Sequence, residues 1–292
     1  KMGEVATKRY TLPPRHIPLI HLEILAEEIG RCVPADVPLW GDALAGIEDL
    51  AAELSDSAAS QHAMRGEYTA EVAQRMTTWR MEVQERLTSN EQPVNMARMC
   101  QELNNTLPED GILVADGGFA AHWTGLLCET KTAGRHYIAN RGFASIGYGL
   151  PGSMGAQLAA GERPVVGVTG DGGFNMVIGE LETAGRLQLG LTILIVNNAA
   201  SGYVKALQQA QFGGRFQSSD LNEMNYANLA ENFGCQGIRV EDPNDLAGAI
   251  RTGMAERDRP TVVDVVVTRD PTKMLPGVDN RTAPIKKGDR IA

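Results

Sequence analysis

The sequence predicts a doubly wound α/β domain, a parallel sheet sandwiched by helices, preceded by the end of a second α/β domain. Three observations carry this. Nearly continuous apolar runs rich in β-branched residues recur through the second half of the chain, the pattern of strands buried on both faces. Helix-prone stretches alternate with them, in the order that builds a parallel sheet. Each run also ends in glycine or polar residues, as strands do where they meet a ligand.

The 292 residues allow one large domain or two smaller ones, and a hydrophobic fraction of 43% is ample for a packed core. A net charge of −9 argues against nucleic acid or an anionic membrane as partner. No run of about 18 apolar residues is present, so no membrane span is expected, and no secretory signal opens the chain. Cys32, Cys100, Cys128 and Cys235 are scattered, without metal-ligand spacing, and read as reduced buried thiols of a cytoplasmic protein. The chain opens at Lys1 without an initiator Met and reads more as a fragment whose N-terminal part is absent or on another chain than as a natural subunit.

Residues 1–54 hold an apolar run (Ile17 to Ile24), a helix-like stretch (Ala26 to Cys32), a second short run (Val37 to Trp40) and a helix opened by Gly41-Asp42. This reads as the tail end of an α/β domain, too short to close a sheet alone. Residues 55–92 are polar, with a thin apolar stripe of Trp79, Met81, Val83 and Leu87, and read as a linking helix. Residues 93–270 form the region in which the apolar runs and helix-like stretches alternate. Residues 271–292, polar with Pro276 and Pro284, read as a lid or a tail.

In the third region Ile112–Ala115 runs into Asp116-Gly117-Gly118, Val165–Thr169 into Gly170-Asp171-Gly172-Gly173, and Leu191–Val196 into Asn197-Asn198. The run Val262–Val267 closes the series. Glycines between a strand and a helix let the backbone approach a phosphate and point N–H groups at it. A dinucleotide fold is the obvious rival, but Asn175 stands where the third glycine of GxGxxG belongs. Asp171 is more telling. A carboxylate inside the turn repels a bare pyrophosphate, and a divalent cation between them removes the conflict. Mg²⁺ takes oxygen ligands and is commonly held by one or two protein oxygens plus phosphates. Asn198, one βα unit later, offers a second oxygen, and the carbonyl of Ala200 a third.

GDG followed one βα unit later by NN resembles the thiamine-diphosphate motif. Residues from about Pro93 to Pro276 resemble the diphosphate-binding domain of the acetolactate synthase and 2-keto acid decarboxylase group. The likeness lies in RGFASIGYGLPGSMGAQLA (Arg141 to Ala159), VTGDGGFNMVIGELETA (Val168 to Ala184) and ILIVNNAASGYVKALQ (Ile193 to Gln208). VPLWGDA (Val37 to Ala43) resembles the end of that group's central domain.

The resemblance implies thiamine diphosphate and Mg²⁺ as cofactors, with Asp171, Asn198 and the Ala200 carbonyl as metal ligands. Gly170, Gly172 and Gly173 would meet the diphosphate, with Gly117, Gly118, Phe119 and Ala120 opposite, and Ser201, Gly202 and Tyr203 completing the set. Ile146 matches the bulky residue that holds the cofactor bent, and the Ala144 carbonyl and Ile146 N–H would bond its aminopyrimidine. His122 falls on the thiazolium side as a candidate proton shuttle. The implied substrate is a 2-keto acid, decarboxylated and then released as an aldehyde or passed to a second carbonyl. The group's activating glutamate belongs to a separate pyrimidine-binding domain. Glu180 and Glu182, on the helix after GDG, are misplaced for it, so that domain is an expected partner, within a homodimer or tetramer. FAD is a further candidate cofactor, since some acetolactate synthases bind it in the central domain. Where acetolactate synthases proper tend to carry a Trp after NN, this sequence has Leu207. A simple decarboxylase, a non-catalytic cofactor-binding subunit and a nucleotide-binding oxidoreductase are the competing readings.

Overall fold

The computed structural model describes residue 7 and residues 10–274, apart from the side chains of residues 59 and 61. The expected lid or tail therefore lies mostly outside the described residues. The chain divides into two compact units, Lys1–Trp79 and Arg80–Ala292.

In the first unit, β1 (Ile20–Glu23) and β2 (Val37–Trp40) pair in parallel. Helix α1 (Ala43–Leu54) follows because Asp42 caps it, its side chain accepting from the N–H groups of Leu44 and Ala45. The helix-like stretch Ala26 to Cys32 is only a 3₁₀ turn, Ala26–Glu28, with no side-chain cap to extend it. The expected single linking helix is broken into α2 (Ala58–Met64) and α3 (Gly66–Leu87).

In the second unit the end of α3 is followed by α4 (Met96–Thr106), capped by the Asn95 side chain. Strand β3 (Ile112–Ala115) leads to α5 (Phe119–Leu127), and β4 (Tyr137–Ala139) to α6 (Gly149–Ala160). Then come β5 (Val165–Gly170), α7 (Asp171–Asn175), α8 (Glu180–Arg186), β6 (Thr192–Asn197) and α9 (Gly202–Phe212). The series ends with α10 (Tyr226–Asn232), β7 (Gln236–Val240), α11 (Leu246–Ala255), β8 (Thr261–Val266) and the single turn α12 (Pro271–Met274).

The six strands form one all-parallel sheet in the order β4-β3-β5-β6-β8-β7. Burial on both faces explains the unbroken apolar runs. Ile193 and Ile195 pack with Leu150, Phe174, Leu181 and Tyr226, while the alternate residues Leu194 and Val196 are also buried, facing the other way. The chain leaves β3 toward the β4 edge and returns to lay β5 on the other side of β3. That reversal opens a crevice beyond the carboxyl ends of β3 and β5, where open α/β sheets bind ligands.

Candidate functional site

Three strand ends meet at this crevice. Gly170 pairs with Val196 across β5 and β6, so Asp171 and Asn198 leave the sheet side by side. The Asn198 N–H donates to Asp171 Oδ2 at 3.1 Å, and the Gly172 N–H donates to Asp171 Oδ1 at 2.7 Å. Asp171 is 2% exposed. Burial pushes its carboxyl up to about 6, against the lowering effect of backbone N–H groups at Gly172, Ala199, Ala200 and Asn198. A buried carboxyl raised in this way, beside a glycine turn, is a candidate to hold a cation.

Asn198 Oδ1 accepts the Ala200 N–H at 3.1 Å, closing a tight turn through Ala199 at φ +47°. The turn is braced from outside. The Ser201 N–H donates to the Ser219 carbonyl, the Leu221 N–H to the Ala199 carbonyl, and Arg269 Nη2 to the Ala199 carbonyl at 2.9 Å. Gly202 opens α9 where a Cβ would fall 2.9 Å from Asn198 Nδ2 and 3.0 Å from the Phe119 ring. Gly173 is forced as well, since a Cβ there would stand 2.7 Å from Asp116 Oδ2. At Gly172 only Leu221 comes near, at 3.5 Å, so this side of the turn is open.

Opposite, Gly117 and Gly118 lead into α5, and Gly118 takes φ +66° with nothing within 4 Å of its missing side chain. The N–H groups that open α5 have no partner inside the helix and carry its positive dipole end. The Gly117 N–H is spoken for by Asp116 Oδ1 at 2.6 Å. Phe119, His122 and Tyr203 form an aromatic group, with Tyr203 centred 5.4 Å from each of the other two rings. Leu207 is half-buried on α9.

The loop before α6 carries Ala144 at φ +52° and Ile146 with half its surface exposed. Gly117 is packed against it, since a Cβ there would lie 2.8 Å from the Ala144 carbonyl oxygen. The predicted residues after β3, β5 and β6 and in this loop are thus gathered around one crevice. Glu180 and Glu182 lie on α8; Glu182 pairs with Arg186 on the outer surface of that helix. Sequence reasoning missed Asp116 as more than a polar strand end. It is 1% exposed and accepts four hydrogen bonds, from Gly117, Gly147, Tyr148 and Thr169. The signal was available: an acid directly after a fully buried strand needs partners.

The donors fit the expected metal. Among the described residues no three His, Cys, Asp or Glu side chains gather, which excludes a chelating cluster of the zinc kind there. One carboxylate, one amide oxygen and one main-chain carbonyl are instead the sparse oxygen set that Mg²⁺ takes when phosphate oxygens and water complete its shell.

The fold and crevice define a phosphate-cofactor site on a doubly wound sheet. Residues 116–265, just over half of the chain, match the family described as thiamine pyrophosphate enzyme, C-terminal TPP binding domain. The chain belongs to this thiamine-diphosphate-dependent family, and within it resembles acetolactate synthases. It is 31% identical to the acetolactate synthase large subunit of Parasynechococcus marenigrum over 91% of this chain and 42% of that protein. It is 29% identical to the thiamine pyrophosphate-containing protein YdaP of Bacillus subtilis over 90% of this chain and 44% of that protein. With acetolactate synthase isozyme 3 large subunit of Escherichia coli the identity is 27%, over 85% and 43%. The chain spans less than half the length of these curated relatives. Among the described residues no helix is long and apolar enough to cross a membrane.

Proposed function

We propose that this chain provides the diphosphate- and Mg²⁺-binding half of an enzyme that decarboxylates a 2-keto acid and joins the product to a second carbonyl compound, as an acetolactate synthase-like carboligase. The observation that carries the reading is the pairing of Asp171 with Asn198 at the ends of adjacent strands, 3.1 Å apart through the Asn198 N–H, over an open glycine turn. Asp171, Asn198 Oδ1 and the Ala200 carbonyl hold Mg²⁺. Gly170, Gly172 and Gly173 on one side and Gly118, Phe119 and Ala120 on the other receive the diphosphate, with Ser201, Gly202 and Tyr203 closing the end. Ile146 supports the cofactor's bend, and the Ala144 carbonyl and Ile146 N–H engage its aminopyrimidine edge. Thiamine diphosphate, when bound, supplies an electron sink for the carbanion left by decarboxylation. His122, edge-on to Tyr203, moves protons at the substrate side.

The activating glutamate comes from a pyrimidine-binding domain outside these residues, and the active form is a homodimer or tetramer in the cytoplasm, where the four free thiols, of which Cys32 is exposed rather than buried as expected and Cys128 only partly buried, stay reduced. A decarboxylase that releases the aldehyde is the second reading, favoured by Leu207 in place of a bulky Trp; product analysis with pyruvate separates the two. The primary test is calorimetric titration of the full-length protein with thiamine diphosphate and Mg²⁺, with and without EDTA. Metal-dependent binding that Asp171→Ala abolishes is the expected result. Absence of binding, or binding of NAD instead, refutes the reading.

A further inference from the structure

Asp116 lies between the two walls of the crevice and touches both. Its Oδ1 accepts the Gly117 N–H at 2.6 Å and the Tyr148 N–H at 3.0 Å. Its Oδ2 accepts the Gly147 N–H at 3.0 Å and the Thr169 hydroxyl at 2.6 Å. Two donors on each oxygen fill the acceptor sites of a carboxylate. The group's acceptor sites are therefore already occupied by the chain, which leaves none for a metal ion.

The packing is as close as the bonding. A Cβ on Gly173 would stand 2.7 Å from Asp116 Oδ2, and one on Gly149 3.1 Å from the Asp116 Cβ. The loop it grips holds Ala144 at φ +52°, an unfavourable conformation for a residue with a side chain, and Gly147 at φ +92°, which glycine adopts freely. The Ala144 conformation persists only where the surroundings over-determine it. Within the loop the Asn140 amide donates to the Ser145 carbonyl at 2.6 Å.

We propose that Asp116 is a positioning residue that sets the distance between the loop bearing Ala144 and Ile146 and the glycine turn at Gly172 and Gly173, and so matches the crevice to a ligand that must reach both. This rests on the functional reading above. A ligand made only of diphosphate occupies the turn and does not depend on the loop; one that adds a ring system does. Asp116 thereby selects for the ring-bearing cofactor without touching it.

The test measures two affinities on the full-length protein at constant Mg²⁺, thiamine diphosphate and inorganic pyrophosphate, by calorimetry. Asp116→Asn, which keeps the volume but turns two acceptor positions into a donor, is expected to weaken thiamine diphosphate at least tenfold and to leave pyrophosphate within twofold. Thr169→Val, which deletes one of the four bonds, is expected to show the same selectivity in smaller measure, and Thr169→Ser to restore it. Should Asp116→Asn fail to fold, as judged by loss of a cooperative thermal transition, the Thr169 pair decides. Equal loss for both ligands, the mark of a merely structural role, or no loss for either overturns the inference. A wild-type protein that binds neither ligand overturns the functional reading and this inference together.

Discussion

Replacing Asp171 by Asn removes a carboxyl whose burial is unfavourable in the absence of a cation, and the consequence for stability can be worked out with its sign. The folded-state value is raised from 3.8 to about 6, with desolvation as the leading cause. Between those values the unfolded chain has released the proton and the folded chain still holds it. Stability therefore falls as pH rises through this window and stays lowered above it, by about 3 kcal/mol in full. The Asn variant lacks this penalty. It has one of its own, because an amide has one acceptor for two N–H donors, and facing a donor with a donor costs about 1–3 kcal/mol at every pH. The decisive quantity is thus the pH dependence of the difference. In EDTA, urea unfolding of both proteins should show the Asn variant gaining about 2.5 kcal/mol on wild type between pH 4 and pH 7. A difference that is flat in pH, or that moves toward wild type, would refute the claim that Asp171 is ionised at a cost the metal is needed to offset.

Under the proposed function the same group should make Mg²⁺ binding depend on pH, because the metal takes the ionised form: calorimetric affinity should hold above pH 6 and fall about tenfold per unit below it, after correction for protonation of the free cofactor. Gly202→Ala should lower stability by about 1–3 kcal/mol and weaken metal-dependent cofactor binding, since the new methyl meets Asn198 Nδ2 and the Phe119 ring at about 3 Å; thermal melts and titration check both. Beneath the site Asp264 is wholly buried, held by Arg239 at 2.8 Å and by Asn197 at 2.8 Å. Arg239→Met strips its counter-charge and should cost about 3 kcal/mol in urea unfolding, with part recovered by adding Asp264→Asn.

Much of the fold was legible because its signals are local. The strands Ile112–Ala115, Val165–Gly170, Thr192–Asn197 and Thr261–Val266 are buried throughout or nearly so, and burial on both faces writes itself as an apolar run. The strands that escaped notice, Tyr137–Ala139 and Gln236–Val240, are the two edges of the sheet. Half-buried edge strands carry polar residues such as Gln236 and Arg239, and Tyr137–Ala139 is too short to show any period. The helix expected after Ile24 shrank to one turn because no side chain caps it and Gly30, at φ +73°, ends it.

By itself the sequence determined the class of fold and the family of the turn: buried strands from their composition, and close backbone approach from the glycines; the cation beside Asp171 belongs to the proposed function. These follow from residues next to one another in the chain. Only the tertiary structure decided what stands beside what. The order β4-β3-β5-β6 brings Asp116 against Gly147 and Thr169, 31 and 53 residues away. It also lays Asn198 against Asp171 across 27 residues. A buried polar group must find its partners wherever the fold supplies them, so the local sequence marks Asp116 as an acid in need of partners without saying which they are.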